Sequence, residues 1–183
     1  HSRRCPRLLG GAVMSAIRWQ RGTLYPTGSV VRPTASEAGG TVALVTLANP
    51  GFESGATGWT LTGGMAVVND PANSFSGSQH ARLNGINPNA AARNTTVFPV
   101  TPGQTVRASC MIRVNASDQV GGAVAIVWRN AAGTDLGFSE GNQVNVLSSG
   151  YRQSAVSAVA PAGAASFQVA VFAFALQSGT VRA

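Results

Sequence analysis

The side chains of this chain that could perform catalysis are few. Its 183 residues contain six carboxylates, two histidines and two cysteines, which leaves little for proton transfer, nucleophilic attack or metal ligation. A glycosidase needs two carboxylates about 5 to 10 Å apart across a cleft, and Asp135 and Glu140 are the only such residues close in sequence. His80 is the only internal histidine, and no nucleophile motif accompanies it. These residue types predict a noncatalytic protein.

The two cysteines do not predict a disulfide framework. Cys5 lies in a basic N-terminal stretch, and Cys110 lies in a run with the pattern of a β-strand. We expect Cys110 to be a small buried apolar residue. The apolar run near the C-terminus reads as a strand rather than a span of about 18 residues, so we expect no membrane partner.

The net charge of +7 is spread along the chain. Residues 1–13 carry +3, and residues 14–40 carry +2 because three arginines oppose Glu37. Residues 41–183 contain seven arginines and five carboxylates, so they also carry only +2. A nucleic-acid-binding domain concentrates its positive charge on one face, so this distribution does not favour nucleic acid as a partner.

From residue 41 onward the hydrophobic pattern has a period of two, which predicts an all-β, antiparallel two-sheet sandwich. Turns are predicted at Thr101–Gln104, Asn130–Gly133 and Pro161–Gly163, where proline, glycine and asparagine supply turn geometry. Trp59 and Trp128 are predicted core residues. The predicted strands are Thr41–Ala48, Met65–Asn69, Gln79–Asn84, Asn94–Val100, Thr105–Asn115, Ala123–Arg129, Thr134–Phe138, Tyr151–Val159 and Ala165–Leu176.

Residues 49–59 form the most distinctive motif, Asn-Pro-Gly-Phe-Glu-Ser-Gly-Ala-Thr-Gly-Trp. Its glycines permit backbone angles and close approaches that a Cβ would block, while Phe52 and Trp59 can plug the sandwich. The motif resembles the opening segment of jelly-roll carbohydrate-binding modules attached to xylanases, and the three predicted turns recur in that family in the same order. The resemblance covers about residues 44–182 and implies a jelly-roll fold and a structural calcium held by Glu53. The aspartate of the family's last strand has no match here.

The resemblance implies a glycan ligand, which aromatic rings beside planar polar side chains would bind. In the last predicted strand, Phe172 and Phe174 share a face opposite the Phe167 face. They provide either a stacking surface for sugar rings or a contact with a neighbouring subunit. The other candidates are Tyr151, an aromatic residue at the edge of a loop, and four polar residues. His80 and Arg82 share one strand face, and Arg107 and Arg113 share another. These faces either line a polar groove or are solvated.

The N-terminal region divides into two parts. We expect residues 1–13 to be non-native or upstream sequence, because Met14 opens a natural-looking start; a signal peptide is the alternative. Residues 14–40 form a short arm and linker, in which positions 21–34 resemble a small β element at the heads of bacteriophage tail and fibre proteins. A flexible arm that docks on a neighbour fits the same residues.

Together these features predict a noncatalytic carbohydrate-binding-like module, residues 41–183, truncated at its C-terminus, within a phage tail or fibre protein. The expected partners are a cell-surface polysaccharide and other virion subunits or a homo-oligomer, and the expected location is the virion or the extracellular space. The alternative is an accessory module of a secreted polysaccharide hydrolase.

Overall fold

The computed structural model of the chain describes residues 45–83, 87, 89–114, 120–145 and 150–175. The described residues form ten β-strands and no helix that is long and apolar enough to cross a membrane. The strands are β1 Trp59–Thr62, β2 Met65–Asn69, β3 Gln79–Leu83, β4 Ala91–Asn94, β5 Phe98–Pro99, β6 Thr105–Ile112, β7 Val120–Arg129, β8 Asp135–Glu140, β9 Arg152–Val159 and β10 Ser166–Ala175.

The strands form two layers. The front layer is a six-stranded sheet with the order β1-β4-β10-β7-β8, in which β5 also pairs with β10. The back layer contains two separate strand pairs, β2–β3 and β6–β9, and every pairing in both layers is antiparallel. The prediction of an all-β, antiparallel jelly-roll sandwich is therefore confirmed.

The core lies between the front sheet and the β6–β9 pair. Phe167 and Val169 of β10 pack there with Val124, Ile126 and Trp128 of β7, all no more than 7% exposed. This is the face predicted for Phe167. Trp59 and Trp128 are buried as predicted, and the indole of Trp128 donates a hydrogen bond of 2.9 Å to Ser139 Oγ. Cys110 packs against the same cluster, and burial raises the pKa of its thiol to about 12.

Two predicted strands differ from the structure. Val45–Ala48 is irregular, whereas 41–44 lie outside the described residues. The predicted strand Asn94–Val100 is in fact the end of β4, a turn and the short β5. The cause is Asn94, whose Oδ1 accepts a 3.0 Å hydrogen bond from the amide of Thr96 and so turns the chain. β1 was not predicted, because Trp59 was assigned to the motif loop.

The motif loop is held together by Asn49. Its amide nitrogen donates to the carbonyls of Gly55 and Thr57 at 2.8 and 3.0 Å, and its backbone carbonyl accepts the indole N–H of Trp59 at 2.8 Å. Phe52 and Trp59 pack with their ring centroids 4.8 Å apart. Of the motif glycines, Gly55 and Gly58 have positive φ, at 63° and 79°. The loop is therefore held in its conformation by a single asparagine and an aromatic pair.

Candidate binding surface

The structure distributes the predicted site residues over two surfaces. Phe172 and Phe174 lie on the outer face of the front sheet. A second group lines a cavity in the back layer: His80, Arg82, Arg113 and Tyr151. Arg107 lines neither; it is exposed on β6, and its Nε donates to Ser157 Oγ on β9 at 3.2 Å.

The outer face of the front sheet carries three phenylalanines. Residues that lie opposite each other on paired strands point to the same face, and Phe138 lies opposite Val127, which lies opposite Gln168. Phe172 shares that face because it is four residues beyond Gln168. The Phe138 and Phe172 rings meet edge to face, with centroids 5.1 Å apart, and Phe138 is 57% exposed. Sequence reasoning missed Phe138, because Thr134–Phe138 was interpreted only as a strand end.

Small residues lie between and beneath these rings. Ala123, Ala125 and Ala170 share the outer face by register and are fully buried. A Cβ on Gly121 would stand 2.6 Å from the ring of Phe174, so glycine at this position leaves room for that ring against β7. On this face Phe138 is exposed, and Phe172 and Phe174 are half-buried.

A polar groove of about 620 Å³ continues the same face. Its centre is Asp135, which accepts two hydrogen bonds from the guanidinium of Arg93, at 2.7 and 2.8 Å, and lies 3.3 Å from Arg129 Nε. The hydrogen bond to Arg93 holds the pKa of Asp135 below its usual value, so the carboxylate stays charged. Thr60, Thr95, Thr134, Asn94 and Gln168 also line the groove. The amide of Asn94 is fully buried and bonded to Ala48 and Thr96, and Gln168 is 8% exposed and donates to the Asn94 carbonyl at 2.9 Å.

The outer face thus places aromatic rings beside an arginine–carboxylate pair and threonine side chains. We name it the aromatic-polar face and define it by Phe138, Phe172, Phe174, Arg93, Asp135 and Gln168. Aromatic rings can stack on the apolar face of a sugar, and planar polar groups can bind its hydroxyls. Arg93 and Asp135 come from β4 and β8, and no sequence pattern indicated that these strands would lie on either side of β10 and β7.

The back-layer cavity has a connected polar mouth. Asn73 links two of the predicted residues: its carbonyl accepts the Tyr151 hydroxyl at 2.8 Å, and its Oδ1 accepts from Arg113 at 3.0 Å. The Arg113 guanidinium lies 5.5 Å from the Tyr151 ring centroid, and Phe75 packs edge-on against the same ring at 5.3 Å. Burial raises the pKa of Tyr151, so its hydroxyl remains a donor.

His80 belongs to the same mouth. Its Nδ1 lies 3.0 Å from Ser74 Oγ. Burial lowers the pKa of His80, and Asp70 acts in the opposite direction. The ring is therefore neutral at pH 7.

Glu53 has hydrogen-bond donors on its carboxylate. The amide of Gln79, at 3.0 Å, and the amide and hydroxyl of Ser78, at 3.1 and 2.9 Å, donate to it. These donors lower the pKa of Glu53, and the Gln79 amide makes the largest contribution. The carboxylate thereby fastens the motif loop to the start of β3. Among the described residues no group of three acidic, histidine or cysteine side chains could hold a metal, so a calcium at Glu53 would depend on carbonyl oxygens and stays a prediction.

Asp135 and Glu140, the two carboxylates close in sequence, do not form a hydrolytic pair. Asp135 and Glu140 stand at opposite ends of β8, about 16 Å apart at 3.3 Å per residue. That separation exceeds the 5 to 10 Å or so that glycosidases use. Asp70 accepts from Asn73 Nδ2 at 2.8 Å, and it is the only carboxylate that the described residues contribute to the back-layer cavity.

Comparison with known proteins shows similarity at the level of the fold. No protein-family model and no curated protein sequence matches the chain. The enzymatically active domain of tailspike protein 4 from bacteriophage CBA120 is similar over 70% of this chain and 19% of its own, with 17% identity and a TM-score of 0.50. The CBM22-1 and GH10 modules of Clostridium thermocellum endo-1,4-beta-D-xylanase 10B, complexed with xylohexaose, are similar over 69% of this chain and 25% of theirs, with 10% identity and a TM-score of 0.51.

This chain therefore spans about a fifth to a quarter of the length of those two proteins. At these identities the likeness concerns the fold, which the chain shares with a structure that contains a carbohydrate-binding module. Whole-protein activities do not transfer on that basis.

Proposed function

We propose that the chain is a noncatalytic glycan-binding module that uses the aromatic-polar face. The observation that carries the proposal is the exposed Phe138 ring, which packs on Phe172 and lies on the same sheet face as the Arg93–Asp135 pair. A sugar ring on Phe138 would have the groove beside it for its hydroxyls.

The shape of the face favours a chain of sugars over a single one. An open sheet face with a groove of about 620 Å³ at one side covers only part of a ligand, whereas small-molecule pockets enclose most of theirs. A single sugar would gain few contacts, so several must add up. Arg93 and Asp135 are fixed by each other, which orients hydrogen-bonding groups before a ligand arrives and reduces the cost of ordering them.

A neutral polysaccharide is the expected ligand. Asp135 balances one of the two arginines, so Arg93, Arg129 and Asp135 together carry a formal charge of only +1. Xylohexaose, present in the xylanase structure that resembles this fold, is the natural first probe. The tailspike likeness supports a setting in a virion, and the xylanase likeness supports the setting of a secreted hydrolase; the same face would serve in either.

Affinity electrophoresis of the full chain in gels that contain soluble xylan, mixed-linkage glucan or galactomannan tests the proposal. We expect retardation by at least one polysaccharide, and loss of that retardation in the Phe138→Ala, Phe172→Ala double variant. Absence of retardation by every polysaccharide, or retardation unchanged in the double variant, would reject the proposal.

An assembly role for the same face is the second candidate. It is favoured by the apolar rings themselves, because exposed phenylalanines are frequent at protein contacts. Light scattering of residues 14–183 and of residues 41–183 tests this role. An oligomer of defined size would support assembly if removal of the arm or the Phe138→Ala, Phe172→Ala variant dissociates it. A monomer in every case would oppose assembly.

A further inference from the structure

The loop between β2 and β3 is held in shape by its own polar side chains. Asn73 Nδ2 donates to Asp70 Oδ2 at 2.8 Å, and Ser74 Oγ donates to the Asp70 carbonyl at 2.9 Å. The next residue, Phe75, is 59% exposed, and its ring lies 5.3 Å from the Tyr151 ring. The loop therefore places an exposed aromatic ring at the entrance of the back-layer cavity.

Two arginines line the same entrance. Arg82 belongs to β3, and Arg113 directly follows β6. Burial is the main cause of the lowered pKa of His80, and the positive charges of Arg113 and Arg82 lower it further. The two charges therefore act on one imidazole, although they come from separate strand pairs. We name this surface the back-layer mouth and define it by Phe75, Arg82, Arg113 and Tyr151.

The charge of the back-layer mouth differs from that of the front groove. Among the described residues, the salt bridges are those of Asp135 on the front sheet. Arg113 donates instead to the neutral Oδ1 of Asn73, which takes one of its five N–H groups. Asp70, the only carboxylate that the described residues contribute to the cavity, bonds the amide of Asn73. The mouth therefore offers charged donors to an anion, whereas the front groove contains its own carboxylate.

We propose that the back-layer mouth is a second glycan site and that it binds sugars that carry a carboxylate, as in a polymer of uronic acids. A guanidinium binds a carboxylate through charge-assisted hydrogen bonds that are often bidentate, and an aromatic ring stacks on the apolar face of a sugar. In this complex Arg113 binds the carboxylate, Phe75 stacks on the sugar ring, and Arg82 binds a further acid group of the polymer.

The site is ordered before a ligand arrives. The Arg113 guanidinium lies 5.5 Å from the Tyr151 ring centroid, and this cation–π contact and the bond to Asn73 both restrict it. Less entropy is then lost when an acid group binds. The site uses other residues than the aromatic-polar face, so it does not depend on glycan binding there.

Titration calorimetry of the full chain with tetragalacturonate tests the proposal. Arg113→Gln should weaken binding at least about tenfold, because a hydrogen bond between charged groups is lost. The matched control is Arg107→Gln, which removes the same charge from the same face of β6 about 20 Å away at 3.3 Å per residue. Charges further apart than about 8 Å are largely screened at physiological ionic strength, so we expect less than about a twofold change.

A second variant keeps the test decisive if Arg113→Gln does not fold. Phe75→Ala removes an exposed ring and should weaken binding of tetragalacturonate at least about threefold. The Phe138→Ala, Phe172→Ala variant should bind it as the wild type does, which separates this site from the aromatic-polar face. Methyl esterification of the oligomer keeps the sugar rings and removes the charge, so it should weaken binding at least about tenfold.

Four results would overturn the proposal. The first is equal loss of binding in the two arginine variants, and the second is equal affinity for the acid and its methyl ester. The third is absence of binding at millimolar concentration for both tetragalacturonate and a mannuronate tetramer. The fourth is tighter binding of single-stranded DNA than of either uronate, because a phosphate polymer would then be the preferred ligand.

Discussion

Replacing Phe138 with alanine should weaken glycan binding about tenfold. An aromatic side chain can bury about 200 Å², and Phe138 is 57% exposed, which leaves about 110 Å² for a ligand. A sugar ring that covers half of that area removes about 55 Å² from water, worth about 1.4 kcal/mol at 25 cal/mol per Å². That free energy corresponds to a tenfold change in Kd.

Phe75 provides the matched control. It is 59% exposed, almost the same as Phe138, but it contacts Tyr151 at the mouth of the back-layer cavity. Phe75→Ala should change the Kd less than about twofold, since it lies on the other layer.

Isothermal titration with xylohexaose, or with whichever polysaccharide retards the chain most, measures both values. Thermal unfolding of each variant shows whether the fold has survived. Equal losses for the two variants, or a loss confined to Phe75→Ala, would refute the assignment of the ligand to the aromatic-polar face.

Three further changes test other contacts. Asp135→Asn should lower the free energy of unfolding at pH 7 by about 1 kcal/mol, a value discounted because the carboxylate is 44% exposed. Since the folded-state pKa of Asp135 is lowered, this stabilisation is present above the ordinary carboxylate pKa of about 4 and is lost as the pH falls through the folded value. The urea unfolding free energies of wild type and variant should therefore converge in acid, and a constant difference would contradict the ion pair. Gly63→Ala should lower the free energy of unfolding by about 2 kcal/mol more than Gly103→Ala does. Both glycines have positive φ, but a Cβ at Gly63 would stand 2.5 Å from the Ala90 backbone, whereas a Cβ at Gly103 would meet nothing within 4 Å. Similar melting temperatures for the two variants would contradict this close approach. If Glu53 holds a calcium, a chelator should lower the melting temperature of the wild type and Ca²⁺ should restore it. No change on chelation would reject the calcium. Glu53→Gln should lower the melting temperature in either case, because it weakens the contacts to Ser78 and Gln79.

The sequence predicted strands well where side chains alternate along one chain. Thr105–Asn115 and Ala165–Leu176 contain β6 and β10 because their apolar residues meet a core on one face. The pattern failed at Asn94, where a side-chain hydrogen bond turns the chain without any break in hydrophobicity. The local hydrophobic pattern therefore predicts which face of a strand each side chain occupies, but it does not predict where every strand ends.

The candidate site was predictable only in part. The parity of the last strand placed Phe172 and Phe174 on one face, and the register agrees. Phe138 and Arg93 reach the same face through strand order, which depends on long-range pairing that no short motif encodes. His80, Arg113 and Tyr151 come together at the back-layer cavity, and this grouping likewise depends on long-range pairing.

An NMR titration of the ¹⁵N-labelled chain with xylohexaose tests most directly where a glycan binds. The largest shifts are predicted at Phe138, Phe172 and Arg93 and at the side-chain amide of Gln168. Shifts concentrated at His80 and Tyr151 instead, or no shifts at millimolar ligand with any oligosaccharide that matches a retarding polysaccharide, would contradict glycan binding at the aromatic-polar face.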